Sequence, residues 1–371
     1  MPNLTRPFLA VLLFCVVASA APPRVPLRIP TNSLPYYSPS SKSWVAPRVA
    51  ASENPLVYVT LLTGLTSGVT DIYEIANGTS TLVGELNQGG GGAVAVDSQQ
   101  NVYIIQANYD DNLFQQDSHV YVYPRGSATS TFDFDAPGFG AEAMTVGADG
   151  TVYMTGQLYP NVDAFGAMKF ASGSSTGQWL PTDSQQPFFP TGLAADSAGN
   201  LFAGWYGSAA DPCNSGCVEE LVPGTKKWKT RVPDLAANFL AAGPFVKADG
   251  SLIFWTAMET RFNYLETLSA GRKIPSHSQV AQLPPALFTN GPLAAALNGD
   301  GTEIWGTETG LGGVPGSSVD QIDYPSGNVS LSFPVNDPQG TFFFIIGLAV
   351  SPTYYPANEQ ATSRCFATDQ R

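Results

Sequence analysis

The chain has 371 residues, 43% hydrophobic and only 13% charged, which is ample for a large core and excludes a disordered, charge-rich polymer. Thirty acidic side chains against 17 basic ones give a net charge of −13, and the densest basic stretch, Lys226-Lys227-Trp228-Lys229-Thr230-Arg231, reads as an edge strand guarded by lysines. No basic footprint for nucleic acid remains, so nucleic-acid partners are excluded.

In chain order, MPNLTRPFLAVLLFCVVASA (residues 1–20) has one Arg, an apolar run from Phe8 to Val17 and an A-x-A exit at Ala18–Ala20. This predicts a cleaved secretory signal and a secreted or periplasmic protein without a membrane span. Bulky Phe14 before Cys15 argues against lipid attachment. Residues 21–54 are Pro- and Ser-rich without a sustained period and read as an extended linker or arm. Residues 353–371 form a polar tail carrying Cys365. In an oxidising compartment Cys213 and Cys217, in DPCNSGC, are expected to form a disulfide that closes a small loop, which leaves Cys365 unpaired.

Residues 55–352 repeat one pattern. AVAVDSQQNVYIIQ (93–106), AMTVGADGTVYMTG (143–156), GLAADSAGNLFAGW (192–205), PFVKADGSLIFWT (244–256) and AAALNGDGTEIWGT (294–307) each join two apolar runs through a tight Asp/Asn/Gly turn. The period is about 50 residues. Between copies lies a second hairpin, such as HVYVYPRGSATSTFDFD, and several outer runs stop at a proline: Pro181, Pro233, Pro284 and Pro334. Proline lacks the ladder donor and suits the end of an outermost strand. Four strands per period describe a β-propeller blade. The C-terminal FFFIIGLAVSP (342–352) is a first strand without a partner, and NPLVYVTLL (54–62) is a second strand without a first. Joining them makes the sixth blade and closes an all-β, six-bladed ring.

These copies, above all GLAADSAGNLFAGW and AVAVDSQQNVYIIQ, resemble the NHL-repeat and gluconolactonase-like six-bladed propellers over almost the whole of 55–352. The gluconolactonase-like branch implies Glu, Asn and Asp near the start of several first strands, around a central divalent metal. Aligned on Val96, Val146, Ala195, Val246, Leu297 and Val350, the matching positions here are Gly92, Glu142, Thr191, Ala242, Leu293 and Ile346. One carboxylate and one hydroxyl do not hold a hard cation, which wants several oxygens. The sequence therefore predicts no metal site, no cofactor and no metal-assisted lactonase chemistry.

Within a blade, the turns between strands one and two and between three and four share a face. The opposite face carries the two-to-three connections and the blade crossings, which read as long: QANYDDNLFQQDS, TGQLYPNVDAFG, GWYGSAADPCNSGC and TETGLGGVPGSS. Long loops tend to carry function, so this face is the expected binding face. Its expected rim is Tyr109, Asp110, Asp111, Tyr159, Trp205 and Tyr206, with packing between blades as the competing role for the aromatics. Glu142 points toward the axial channel and is the one acid–base candidate. Neither His119 nor His277 stands where a triad base must meet an inner-strand Ser, and no G-x-S-x-G elbow or phosphate-cradling glycine loop is present. The sequons Asn77-Gly78-Thr79 and Asn328-Val329-Ser330 fall in outer hairpin turns. The leading expectation is a monomeric, non-enzymatic binding module for a protein, peptide or carbohydrate. The alternatives are a metal-independent hydrolase or lyase of the lactonase or strictosidine-synthase-like type using Glu142, and a structural cell-surface protein.

Overall fold

The computed structural model describes residues 37–38, 43–44, 54–63, 67–86, 90–109, 115–161, 164–181, 189–206, 216–232, 238–247, 250–258, 263–268, 277–283, 294–298, 301–308, 317–335 and 343–351. A short strand pair, Tyr37–Ser38 with Ser43–Trp44, falls in the segment expected to be an arm.

The main body is six four-stranded antiparallel sheets in the simple order one-two-three-four. Blade one joins the two ends of the chain: Phe343–Ser351, then Leu56–Thr63, Ser67–Ala76 and Thr79–Leu86. Its register pairs Ile345 with Leu61 and Val350 with Val57, so the last strand of the chain becomes the innermost strand beside the first. The first strands of blades two to six are Gly91–Val96, Phe139–Val146, Phe189–Ala195, Asn238–Val246 and Ala295–Leu297. The predicted six-bladed ring and its closure are what the structure shows.

Inner strands are buried on both faces because each blade is sandwiched between two neighbours. Val102–Ile105 are buried without alternation, whereas the outermost strand of blade three, Gly177–Trp179, is exposed throughout. A continuous apolar run such as Val102–Ile105 or Leu252–Trp255 is therefore the signature of an inner strand here, and period-two alternation returns outward. Six apolar clusters mark the six blade boundaries. At the closing boundaries, Val57, Tyr73 and Ile345 of blade one pack with Trp305 and Phe333 of blade six, and Tyr58 and Ile72 pack with Val96 and Ile104 of blade two. Each fully buried side chain of this size contributes roughly 1.5–3 kcal/mol.

The repeated turn has a local chemical cause. Asp196 Oδ1 accepts from the Ala198 and Asn200 amides at 2.9 and 2.8 Å, and its Oδ2 accepts from the Asn200 side-chain amide at 2.7 Å. Asp97 and Asn101 repeat this in blade two, with Tyr103 Oη as a further donor. The two turns differ at one position: Gly199 has φ +82, and its counterpart Gln100 holds φ +67 with a side chain present. Gln100 is fixed by ring closure, because Ser351 Oγ donates to its Oε1 at 2.8 Å. Buried Arg125 completes this latch, donating to Ser351 Oγ at 2.8 Å and to the Asn54 carbonyl at 2.6 Å. One cation from blade two thus ties together the two chain segments that close the ring.

Two expected long connections are shorter than the sequence suggests, and that of blade one is short as well. Strands run on to Tyr109 and resume at Gln115, run to Leu158 and resume at Phe165, and leave only residues 64–66 in blade one. The polar composition of QANYDDNLFQQDS does not stop the ladder, since paired backbone is satisfied whatever the side chains. The connections 207–215 and 309–316 lie outside the described residues, as does most of the expected binding face.

Candidate functional site: a bulged carboxyl in the axial channel

The six first strands surround the propeller axis, and most of them share an irregularity. In blade three the ladder pairs Ala141 with Gly156 and Ala143 with Thr155, leaving Glu142 as an extra residue. The same slip occurs between Pro190 and Gly192 in blade four, between Ile345 and Gly347 in blade one, between Leu240 and Ala242 in blade five and between Gly91 and Val94 in blade two. A bulge bends the strand and re-aims the extra side chain. The bulged residues are Glu142, Thr191 and Ile346, with Ala241 in blade five and the Gly92–Ala93 pair in blade two.

Adjacent first strands approach so closely here that glycine is required. A Cβ on Gly192 would lie 2.4 Å from the Gly243 carbonyl oxygen, and one on Gly347 would lie 2.8 Å from the Gly92 carbonyl oxygen. The result is a narrow channel. Its half toward the long-connection face holds a cavity of about 90 Å³, walled by Ala93, Met144, Leu193, Phe245 and Ile346, with Glu142 and Thr191. The half toward the tight turns holds a second space of about 120 Å³ beside Val96, Val146, Val246 and Leu297.

Glu142 is the one carboxylate among the residues lining either space. Its carboxyl has no hydrogen-bond partner among the described residues, the residue is half-buried, and desolvation inside the ring pushes its pKa up to about 8. In its protonated form it has one O–H donor and one carbonyl acceptor side by side. Thr191 Oγ1 stands 3.4 Å from the Gly243 carbonyl, a weak contact that leaves the hydroxyl able to turn. Other buried carboxyls lie away from this channel. Asp97 is pushed up to about 6 by burial, opposed by its turn hydrogen bonds. Asp71 is pushed up to about 7 by burial and by Glu85 opposite it on the neighbouring strand, against a hydrogen bond from Tyr73. Among the described residues no three His, Cys, Asp or Glu side chains converge as metal ligands.

Of the expected rim, Trp205 is corrected. It is fully buried in the cluster between blades three and four, edge-on to Trp228 at a centroid distance of 6.3 Å. Its strand is internal, and a large ring there fills the wedge between blades better than it reaches solvent. Tyr159 is partly exposed at the end of a second strand, facing the long-connection side. Tyr109 and Tyr206 end second strands, and their side chains lie outside the described residues, as do Asp110 and Asp111. Cys217 is disulfide-bonded, and Cys213 lies outside the described residues. His119 sits on a third strand between Asp133 and Asp135, far out on blade two. The bulge itself was not foreseen, although prolines inside first strands, Pro190 and Pro244, are a sequence signal for one.

No family model matches the chain, and no curated protein matches it. Among solved structures it is similar to a 6-phosphogluconolactonase candidate from Bacteroides fragilis, with TM-score 0.50 and 11% identity, over 81% of this chain and 99% of that one. It is also similar to the β-propeller domain of Cps50 (Swd1) from Myceliophteria thermophila, with TM-score 0.44 and 9% identity over 78% of this chain and 89% of that one. A third similar structure is a prolyl endopeptidase, with TM-score 0.42 and 12% identity over 77% of this chain, which spans only 43% of that protein. At such identities the likeness is one of fold, and the fold is a β-propeller. No helix among the described residues is long and apolar enough to cross a membrane.

Proposed function

We propose that the protein is an exported binding module that takes its ligand on the long-connection face, with the axial channel as the deepest part of the site. The observation that carries this reading is the solitary character of Glu142: among the described residues that line the cavity it is the one ionisable side chain, beside Thr191 and exposed backbone of the close-packed glycines. Acyl transfer needs a nucleophile held against a base, and glycoside hydrolysis needs two carboxyls. A lone carboxyl in a small cavity offers directional hydrogen bonds, which is what orients a bound group. Tyr159 at the long-connection end is a ready contact for a larger ligand.

One observation favours a second reading. A carboxyl with pKa near 8 is an effective general acid at neutral pH, as a metal-independent hydrolase or lyase would require. The two readings separate in one experiment. The purified domain and its Glu142→Gln variant are applied to glycan and peptide arrays and to a panel of esters and lactones. Saturable binding in both proteins, without turnover, supports the module. Turnover that disappears in Glu142→Gln overturns it in favour of the enzyme.

A further inference from the structure

We propose that the cleft between blades three and four, beside the tight turns and on the face opposite the long connections, is a binding site for a small carboxylate with an apolar body. The site is independent of the axial channel and of Glu142. The cleft holds about 320 Å³, and it exists because blade three departs from blade two at equivalent places. In blade two, Tyr103, Val122 and Phe132 pair across the sheet and pack into the boundary with blade three. The matching row of blade three is Tyr153, Lys169 and Gln178. Next to it, Phe134 of blade two meets Phe170 of blade three at a ring separation of 4.5 Å. The matching positions across the boundary of blades three and four are Leu180 and Leu221. A valine and three phenylalanines thus give way to a lysine, a glutamine and two leucines, and the wedge stays open. At its outer end the Trp228 indole N–H donates to the Pro181 carbonyl at 2.8 Å, which fixes the spacing of the two blades.

Two features of this cleft select the ligand. Its wall is largely apolar, formed by Leu180, Pro181, Leu201, Leu221 and Pro223. Lys169 is the one charged side chain that lines it, half-buried, with the Gln178 amide beside it across the ladder. None of the ion pairs among the described residues uses Lys169. The turn carboxylates Asp149 and Asp196 accept from the amides of their own turns, and Glu219, on the same strand face as Leu221, does not line the cleft. Lys226 and Lys227, both exposed, follow directly on the Val222–Thr225 turn that forms one lip. The densest basic stretch of a chain with net charge −13 therefore stands at this mouth. A lysine reinforced by two more draws in an anion, and an apolar wall retains one with a hydrophobic body. An apolar cavity of roughly 150 Å³ admits a benzene ring, so the space here admits about twelve heavy atoms, an aryl or alkyl carboxylate. A polyanion would meet Lys226 and Lys227 but leave the apolar wall unused.

The test titrates phenylbutanoate into the purified protein by calorimetry, beside phenylbutanamide and phenylbutylammonium of the same shape, with heparin as the polyanion. Saturable binding of the carboxylate is expected, about tenfold or more tighter than the amide, with no binding of the ammonium. Lys169→Gln, which removes the charge and keeps a polar chain, is expected to bring the carboxylate down to the affinity of the amide. Gln178→Phe, which restores the ring that blade two carries as Phe132, is expected to fill the cleft, abolish binding and leave Tm unchanged or raised. Equal affinity for acid and amide overturns the proposal, as does carboxylate binding untouched by Lys169→Gln or by Gln178→Phe. Absence of carboxylate binding overturns it as well. Heparin binding in that case, lost when Lys226 and Lys227 are both replaced by Gln, would assign the basic mouth to a polyanion instead.

Discussion

Replacing Glu142 with Gln is expected to make stability less sensitive to pH, by an amount that follows from the channel's burial. The folded protein holds the Glu142 proton up to about pH 8, against an ordinary value of 4.5. Below 4.5 both folded and unfolded chains carry that proton, and the group contributes nothing. Between 4.5 and 8 the unfolded chain has released it while the folded chain has not, so stability falls as pH rises. Above 8 the full penalty is present. The span 8 − 4.5 at about 1.4 kcal/mol per unit sets an upper bound of about 5 kcal/mol. Water at the channel mouth reduces this, and about 2–3 kcal/mol is the expected size. Gln has the shape of the neutral acid and never ionises. The Tm of Glu142→Gln should therefore match wild type near pH 4.5 and exceed it by about 5 °C at pH 8.5, at about 2 °C per kcal/mol for a domain of this size. Scanning calorimetry across pH 4.5–9 reads both curves. Parallel curves, or a gap that opens toward acid, would refute the claim that the folded ring raises the Glu142 pKa.

Other substitutions probe the ring. Arg125→Ala removes the bonds of 2.8 and 2.6 Å to Ser351 and Asn54, and should cost about 2–4 kcal/mol. Hydrogen exchange should then rise first in residues 56–61 and 345–351, and uniform exchange across all blades would contradict the latch. Gly192→Ala forces a Cβ to within 2.4 Å of the Gly243 carbonyl and should destabilise by about 1–3 kcal/mol in chemical denaturation. Gly224→Ala, with φ +76 but nothing within 4 Å, serves as the control for backbone strain alone. Asp71→Asn should stabilise the protein by about 2 kcal/mol at pH 8 and by nothing near pH 4, because burial and Glu85 hold Asp71 protonated up to about 7. A stability gain in Asp71→Asn that persists at pH 4 would count against that cause.

Much of the architecture is local and therefore readable in the sequence. Asp97 with Asn101, and Asp196 with Asn200, make their turns through bonds spanning four residues, so each short motif carries its own fold information. The six-fold count and the pairing of 345–350 with 56–61 follow from strands without partners at either end. The alignment of first strands also put Glu142, Thr191 and Ile346 in equivalent places, where the ladder slips. Loop length was less legible. Gln115 and Ser118 look like loop residues, but both are buried: Ser118 Oγ ties blade two to blade three, accepting from the Ala141 amide at 2.8 Å and donating to the Phe139 carbonyl at 2.9 Å, and the Gln115 amide donates to Ser118 Oγ at 3.0 Å. Trp205 misled for the related reason that a strand-end aromatic can face either a blade or solvent.

The sequence by itself determined the turns, the strands and their number, because these rest on residue types a few positions apart. Tertiary structure alone decided what the axis contains. A bulge is a mismatch between two ladders, and a carboxyl's pKa depends on walls contributed by blades far apart in the chain. Residues 93, 142, 191, 245 and 346 meet only when the ring closes, and only in their company does the Glu142 carboxyl sit in a small cavity with its pKa raised.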